Sequence, residues 1–153
     1  MSPPRRTPLP RSFEAVEEGL DEAMIGRVVQ SFYSRAREDP VIGPVFRAHV
    51  PDAQWQAHID AITGFWCSTL LGTRTYSGRP MGKHLAIGEL GGVHFRRWLA
   101  LFRHTVTELC PPKTAQLFIA RSERIAEAFR VNIAMHRCDD LTALAPLTRE
   151  PFP

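Results

Sequence analysis

Long apolar runs are missing from this 153-residue chain, so no segment reads as a bilayer-spanning helix. No charged start leads into an apolar stretch, and the Arg5-Arg6 pair lacks the apolar segment that a twin-arginine export signal needs behind it. The expectation is a cytoplasmic protein with no membrane partner. Cysteine is scarce as well. Cys67, Cys110 and Cys138 are odd in number, far apart and free of any Cys-x-x-Cys pair, which argues against a disulfide framework or a zinc site. Segments that alternate apolar and polar residues are absent, and with them the signature of a half-buried strand. Charge of one sign is also lacking once it is located. Arg5, Arg6 and Arg11 carry the whole formal excess of +3, and beyond them basic and acidic residues balance, so the folded part presents no basic face for nucleic acid.

Proline is plentiful only where a core is not expected. Pro3, Pro4, Pro8 and Pro10 preclude a helix at the start and leave little to bury, so residues 1–11 read as a disordered arm. After Cys138 come Asp139-Asp140, Pro146, Pro151 and Pro153, and residues 139–153 read as a flexible tail. The folding unit expected is residues 12–138.

Inside that unit the apolar period is helical. Ile25, Val28, Val29, Phe32, Tyr33 and Ala36 form the stripe of an amphipathic helix between Asp21 and Asp39, stopped by Pro40. A loop is expected at Gly43-Pro44-Val45-Phe46. Asp52 is placed to cap the next helix, whose inward residues are Trp55, Ile59, Ile62, Trp66 and Leu70, and which Gly72 ends. Residues 72–83 read mostly as loop, with room for a short helix from His84 to Ile87. A strong helix then carries Phe95, Trp98, Leu99, Phe102, Val106 and Leu109 on one face. Pro111-Pro112 opens the last helix, striped with Phe118, Ile125, Phe129 and Ile133. The fold expected is all-α with four principal helices.

The chemistry is concentrated in a few aromatic signatures: Phe32-Tyr33, Trp55-x-x-His58, Tyr76-x-Gly78-x-Pro80-x-x-x-His84, and Phe95-x-x-Trp98-Leu99-x-Leu101-Phe102. Among six histidines, His49, His104 and His136 lie in a loop or on polar faces. His58 shares the edge of a buried helix face with Trp55 and Ile62. His84 follows a loop shaped by glycine and proline, and stands 26 residues beyond His58 on a different segment. The pair lacks the spacing of a zinc-binding helix and has no carboxylates placed for a di-iron site. Haem asks less of the protein, because the porphyrin supplies four nitrogens and one axial imidazole suffices.

Taken together in this order, the motifs over residues 20–138 resemble the truncated haemoglobins, and specifically their third group. Phe32-Tyr33 is similar to the family's helix that brings a tyrosine over the iron, and Gly43-Pro44-Val45-Phe46 to the turn that sets a phenylalanine against the haem. Trp55-x-x-His58, Ile62 and Phe65-Trp66 resemble its distal helix. Leu70-Leu71-Gly72, Tyr76-x-Gly78-x-Pro80 and His84-Leu85 resemble the proximal segment, and Trp98 the group's distal tryptophan.

The resemblance implies a shortened globin fold, a two-over-two helical sandwich around haem b (iron protoporphyrin IX). It implies His84 as the proximal ligand of the iron, and Tyr33, His58 and Trp98 as distal groups that stabilise a bound gas. Phe46 and Ile62 are the expected haem contacts. Arg79 and Lys83 are candidates for the haem propionates, or are plain solvated charges. The function implied is binding of oxygen, carbon monoxide or nitric oxide, in oxygen, nitric-oxide or peroxide chemistry rather than transport. An alternative is a haem peroxidase or nitric-oxide dioxygenase working with a reductase. A haem-free helical interaction module is the competing reading from another class.

Overall fold

The computed structural model describes residues 20–73, 88, 90–139, 142 and 147, and among these it contains no strand. Helix α1 spans Glu22–Glu38. Asp21 caps it by accepting the Met24 N–H at 2.8 Å, Glu22 lies in its first turn, and Arg35 and Arg37 lie in its last, all signs that favour the helix dipole. Its buried residues are Ile25, Val28, Val29, Phe32, Tyr33 and Ala36, the stripe legible in the sequence.

Residues Gly43–His49 form a second short helix, α2, where a loop was expected. Two causes act together. Pro44 stands in its first turn, where a fixed φ suits a helix start. The Asp39 carboxylate also organises the approach, its Oδ2 accepting the N–H groups of Val41 at 2.9 Å and Ile42 at 3.1 Å. Gly43 is required here by space rather than by conformation, since a Cβ would lie 2.6 Å from the Arg37 carbonyl oxygen. Gly43→Ala is therefore expected to destabilise the protein by about 1–3 kcal/mol, the usual cost of forcing an extra carbon into a packed site. Thermal unfolding of the variant checks this; an unchanged melting temperature would show that the corner relaxes freely.

Asp52 does not cap the following helix. It opens a 3-10 turn, Asp52–Gln54, and its exposed carboxylate pairs with Arg37, whose guanidinium carbon lies 4.6 Å from the centroid of the Trp55 ring. Helix α3 then runs Trp55–Leu71 and ends at Gly72, whose φ of +68° is the left-handed C-cap that glycine adopts without a Cβ penalty. Helix α4 spans Gly92–Leu109 and α5 spans Pro112–His136, with the proline in the first turn of α5 as expected. The buried stripe of α4 stops at Val106, and Leu109, in the last turn, is 39% exposed.

Helix α1 packs on α3 and α4, and α4 packs on α5. Aromatic rings join these helices at the centre. Trp66 of α3 stacks on Phe102 of α4 at 5.2 Å, Phe118 of α5 meets both, and Phe32 of α1 sets its edge on Phe102 at 5.1 Å.

One ion pair is buried in the corner between α1, α2 and α4. Arg97 donates through Nε to Asp39 Oδ1 at 2.7 Å and places Nη2 2.6 Å from the same oxygen. Burial alone would raise the Asp39 carboxyl pKa, but the Arg97 guanidinium and the two backbone N–H groups outweigh it and hold it below the ordinary 3.8. A carboxyl whose pKa is depressed on folding stabilises the protein above its unfolded pKa, and that contribution is lost as pH falls through the folded value. Acid unfolding should accordingly be less steep in Asp39→Asn than in the parent protein, with the variant already less stable at neutral pH. Circular dichroism melts across the acid range measure both; parallel curves would place the acid sensitivity elsewhere.

Candidate functional site

Tyr33 is the centre of the site. It sits on the buried stripe of α1, 6% exposed, so its hydroxyl is held inside the protein rather than reaching the surface. The indole N–H of Trp98, which can only donate, is hydrogen-bonded to the Tyr33 hydroxyl oxygen. Burial drives the Tyr33 pKa far above the ordinary phenol value of 10.0, and the Trp98 bond offsets only part of that rise. Burial therefore favours the protonated phenol over the phenolate. Its oxygen accepts from Trp98, which ties α1 to α4 at this point.

Three further side chains surround the tyrosine. Phe46, from α2, meets the Tyr33 ring edge-on at 5.6 Å, and the His58 imidazole of α3 does the same at 6.1 Å. The Nε2 atom of His58 is fully withdrawn from solvent. Trp55 lies one turn before His58 and 5.8 Å from it, with Phe46 packed against both rings. Phe32 serves as a spacer, its ring edge-on to Tyr33 at 4.7 Å and to Trp98 at 5.3 Å. Helices α1, α2, α3 and α4 thus each contribute to one aromatic shell around a single buried hydroxyl.

Helix α3 has two apolar faces. Ile59, Trp66, Cys67 and Leu70 are buried in the main core, while His58, Ile62, Phe65 and Thr69 form an adjacent half-buried stripe at helical spacing. A helix apolar on more than one side needs a second surface to cover it. Trp98 is similarly placed between two packed regions. It lies against the main core and also against a smaller cluster of Leu90, Phe95, Leu99, Ala126 and Ile133, which Leu147 joins from beyond the last helix.

The sequence-predicted residues Tyr33, His58, Trp98 and Phe46 are brought together, and Ile62 stands on the half-buried stripe one turn after His58. His84, Arg79 and Lys83 lie outside the described residues. The chain is described again at Gly88 and from Leu90, where Arg137 at the end of α5 donates to the Leu90 carbonyl at 2.6 Å and the Gly88 carbonyl at 2.9 Å. His94 closes the start of α4 by accepting the Gly91 N–H on Nδ1 at 3.1 Å, a role that its place just after two glycines would have suggested. The Asp39–Arg97 pair was not legible, because its members are 58 residues apart and each looks like a solvated helix-end charge.

Comparison with known proteins settles the family. The family model described as bacterial-like globin matches residues 12–131. The chain belongs to that family. The globin is similar to the group 3 truncated haemoglobin of Campylobacter jejuni, 29% identical over 115 residues that span 74% of this chain and 91% of the relative. The crystal structure of the group III truncated haemoglobin from Campylobacter jejuni matches this globin with a TM-score of 0.70 at 28% identity, covering 74% of this chain and 91% of that one. The group III resemblance read from the sequence motifs is therefore upheld, and the fold is a shortened globin fold. Membership of the globin family implies a haem cofactor and supports the binding of diatomic ligands. No helix among the described residues is long and apolar enough to cross a membrane.

Proposed function

We propose that this globin binds haem b, with His84 as the proximal ligand, and holds oxygen, carbon monoxide or nitric oxide in a polar distal pocket formed by Tyr33, His58 and Trp98. One observation carries the reading: three polar side chains from three helices, Tyr33, His58 and Trp98, meet in one buried aromatic shell with Phe46 against them. Leaving a buried polar group without a hydrogen-bond partner costs about 1–3 kcal/mol, so polar side chains gathered in one apolar shell suit a small polar ligand. Haem held there by His84 would supply an iron able to bind a diatomic gas.

The chain's own residues do the rest. The half-buried stripe of α3, with Ile62 and Phe65, together with Phe46 of α2, offers the apolar wall that a flat macrocycle needs. Arg79 and Lys83 are assigned to the propionates. Tyr33 donates to the ligand, Trp98 fixes the phenol's orientation, and His58 closes the side next to Trp55. Strong donors slow the release of a polar ligand, which favours oxygen, nitric-oxide or peroxide chemistry over transport.

Titration of the purified protein with haem is the direct test. Saturation at one haem per chain with an intense near-ultraviolet band, shifted by carbon monoxide after reduction, is expected. Absence of stoichiometric uptake would end this reading in favour of a haem-free helical module.

A further inference from the structure

The Asp39 carboxylate touches three of the elements that build the distal shell. It follows α1, which carries Tyr33; its Oδ2 accepts the N–H groups of Val41 and Ile42 that lead into α2, which carries Phe46; and its Oδ1 receives Arg97 of α4, the neighbour of Trp98. Its main chain works in the same corner, with the Asp39 N–H donating to the Ala36 carbonyl at 3.1 Å and the Asp39 carbonyl accepting from Gly43 at 2.9 Å. The carboxylate is 3% exposed and the Arg97 side chain 17%.

A buried ion pair with its lone pairs filled adds little net stability over apolar packing, but it fixes geometry strongly, because any sliding leaves a charge buried and unpaired. The geometry fixed here is that of α4 relative to α1 and α2. Tyr33 precedes Asp39 by six positions, roughly 9 Å along α1 at the helical rise, and Arg97 and Trp98 are consecutive on α4. The clamp and the Trp98–Tyr33 hydrogen bond are therefore neighbouring attachments between the same two helices. We propose that Asp39 and Arg97 are positioning residues for the Tyr33–Trp98 donor pair, setting the distance at which the indole N–H meets the phenol oxygen and so the direction in which the phenol proton points. This rests on the distal reading of Tyr33 given above. A second link between α1 and α4, Arg35 to Thr105 and Glu108, is two to three turns further along α4, with its Arg35–Glu108 pair partly exposed, and supplies an internal control.

The test compares Asp39→Asn, Arg97→Lys and Arg35→Gln in the haem-loaded protein. Arg97→Lys keeps the charge but loses the planar fork that grips the carboxylate. Two quantities are read: the oxygen and carbon monoxide dissociation rates, and the hydrogen-exchange rate of the Trp98 indole N–H by NMR, assigned by its absence from Trp98→Phe. In Asp39→Asn and Arg97→Lys, oxygen release should quicken by about threefold to tenfold with carbon monoxide release nearly unchanged, as expected when a hydrogen bond is weakened rather than removed. The indole N–H should exchange about tenfold faster or more, because its bond to Tyr33 opens more often. Arg35→Gln should move neither quantity. If Asp39→Asn loses its fold, Arg97→Lys decides, since it retains a cation and most of the buried stem. Folded variants with parental indole exchange and parental oxygen release would overturn the proposal and reduce the pair to a structural tie. Failure of Tyr33→Phe itself to alter oxygen release would instead strike the distal reading, so the two failures are distinguishable.

Discussion

Tyr33→Phe and Trp98→Phe should each release oxygen faster than the parent protein while changing carbon monoxide release comparatively little. Bound oxygen carries more negative charge than bound carbon monoxide and gains more from a donor. Hydrogen bonds to charged groups contribute about 1.5–3 kcal/mol, so losing one corresponds to roughly tenfold to 150-fold in rate. The structure adds an asymmetry between the two variants. Tyr33→Phe removes the donor and at the same time releases the Trp98 N–H, which is then able to turn to the ligand and recover part of the loss. Trp98→Phe leaves the phenol in place but takes away the bond that orients it, along with the lowering effect that bond has on its pKa. The double variant should exceed the larger single effect, and the shortfall from additivity measures how far the two donors substitute for one another. Stopped-flow dissociation of both gases decides the matter. Equal acceleration for oxygen and carbon monoxide in all three variants would mean that the residues gate access sterically, and the donor mechanism would have to be given up.

His84→Ala is expected to yield a folded helical protein with little or no stoichiometric haem, whereas His58→Ala should keep its haem. The reason lies in the number of imidazoles available. His49 ends α2, exposed; His104 is 49% exposed beside Glu108; His136 ends α5, exposed; and His94 is engaged with the Gly91 N–H. His58 stands in the shell around Tyr33, on the distal side of the proposed pocket. None of these is placed to replace His84 in the proposed role of iron ligand. Haem stoichiometry by absorbance on refolded, monodisperse protein gives the answer. The reverse outcome, with haem kept by His84→Ala and lost by His58→Ala, would show that the sides of the pocket are exchanged.

The sequence by itself determined the long helices and named four side chains that the fold brings together. The stripe from Ile25 to Ala36 reappears residue for residue as the buried face of α1, because a 3.6-residue period admits only one such face. Gly72 and Pro111-Pro112 end and begin helices for local steric reasons that need no tertiary partner. Tyr33, Phe46, His58 and Trp98 were singled out by the company each keeps in its own motif. Tertiary structure decided the rest. Whether Gly43-Pro44 opened a loop or a helix depended on a carboxylate four residues earlier that is itself held by Arg97 from a distant helix. Asp52 was drawn from capping α3 to pairing with Arg37, since a carboxylate can serve either and only the approach of α1 selects. Above all, the sequence places a tyrosine hydroxyl on an apolar stripe without saying whether it reaches water. Packing of α4 across α1 buries it and gives it the Trp98 N–H, because hydrogen-bond partners that far apart in the chain are set by the meeting of helices and not by the period within one.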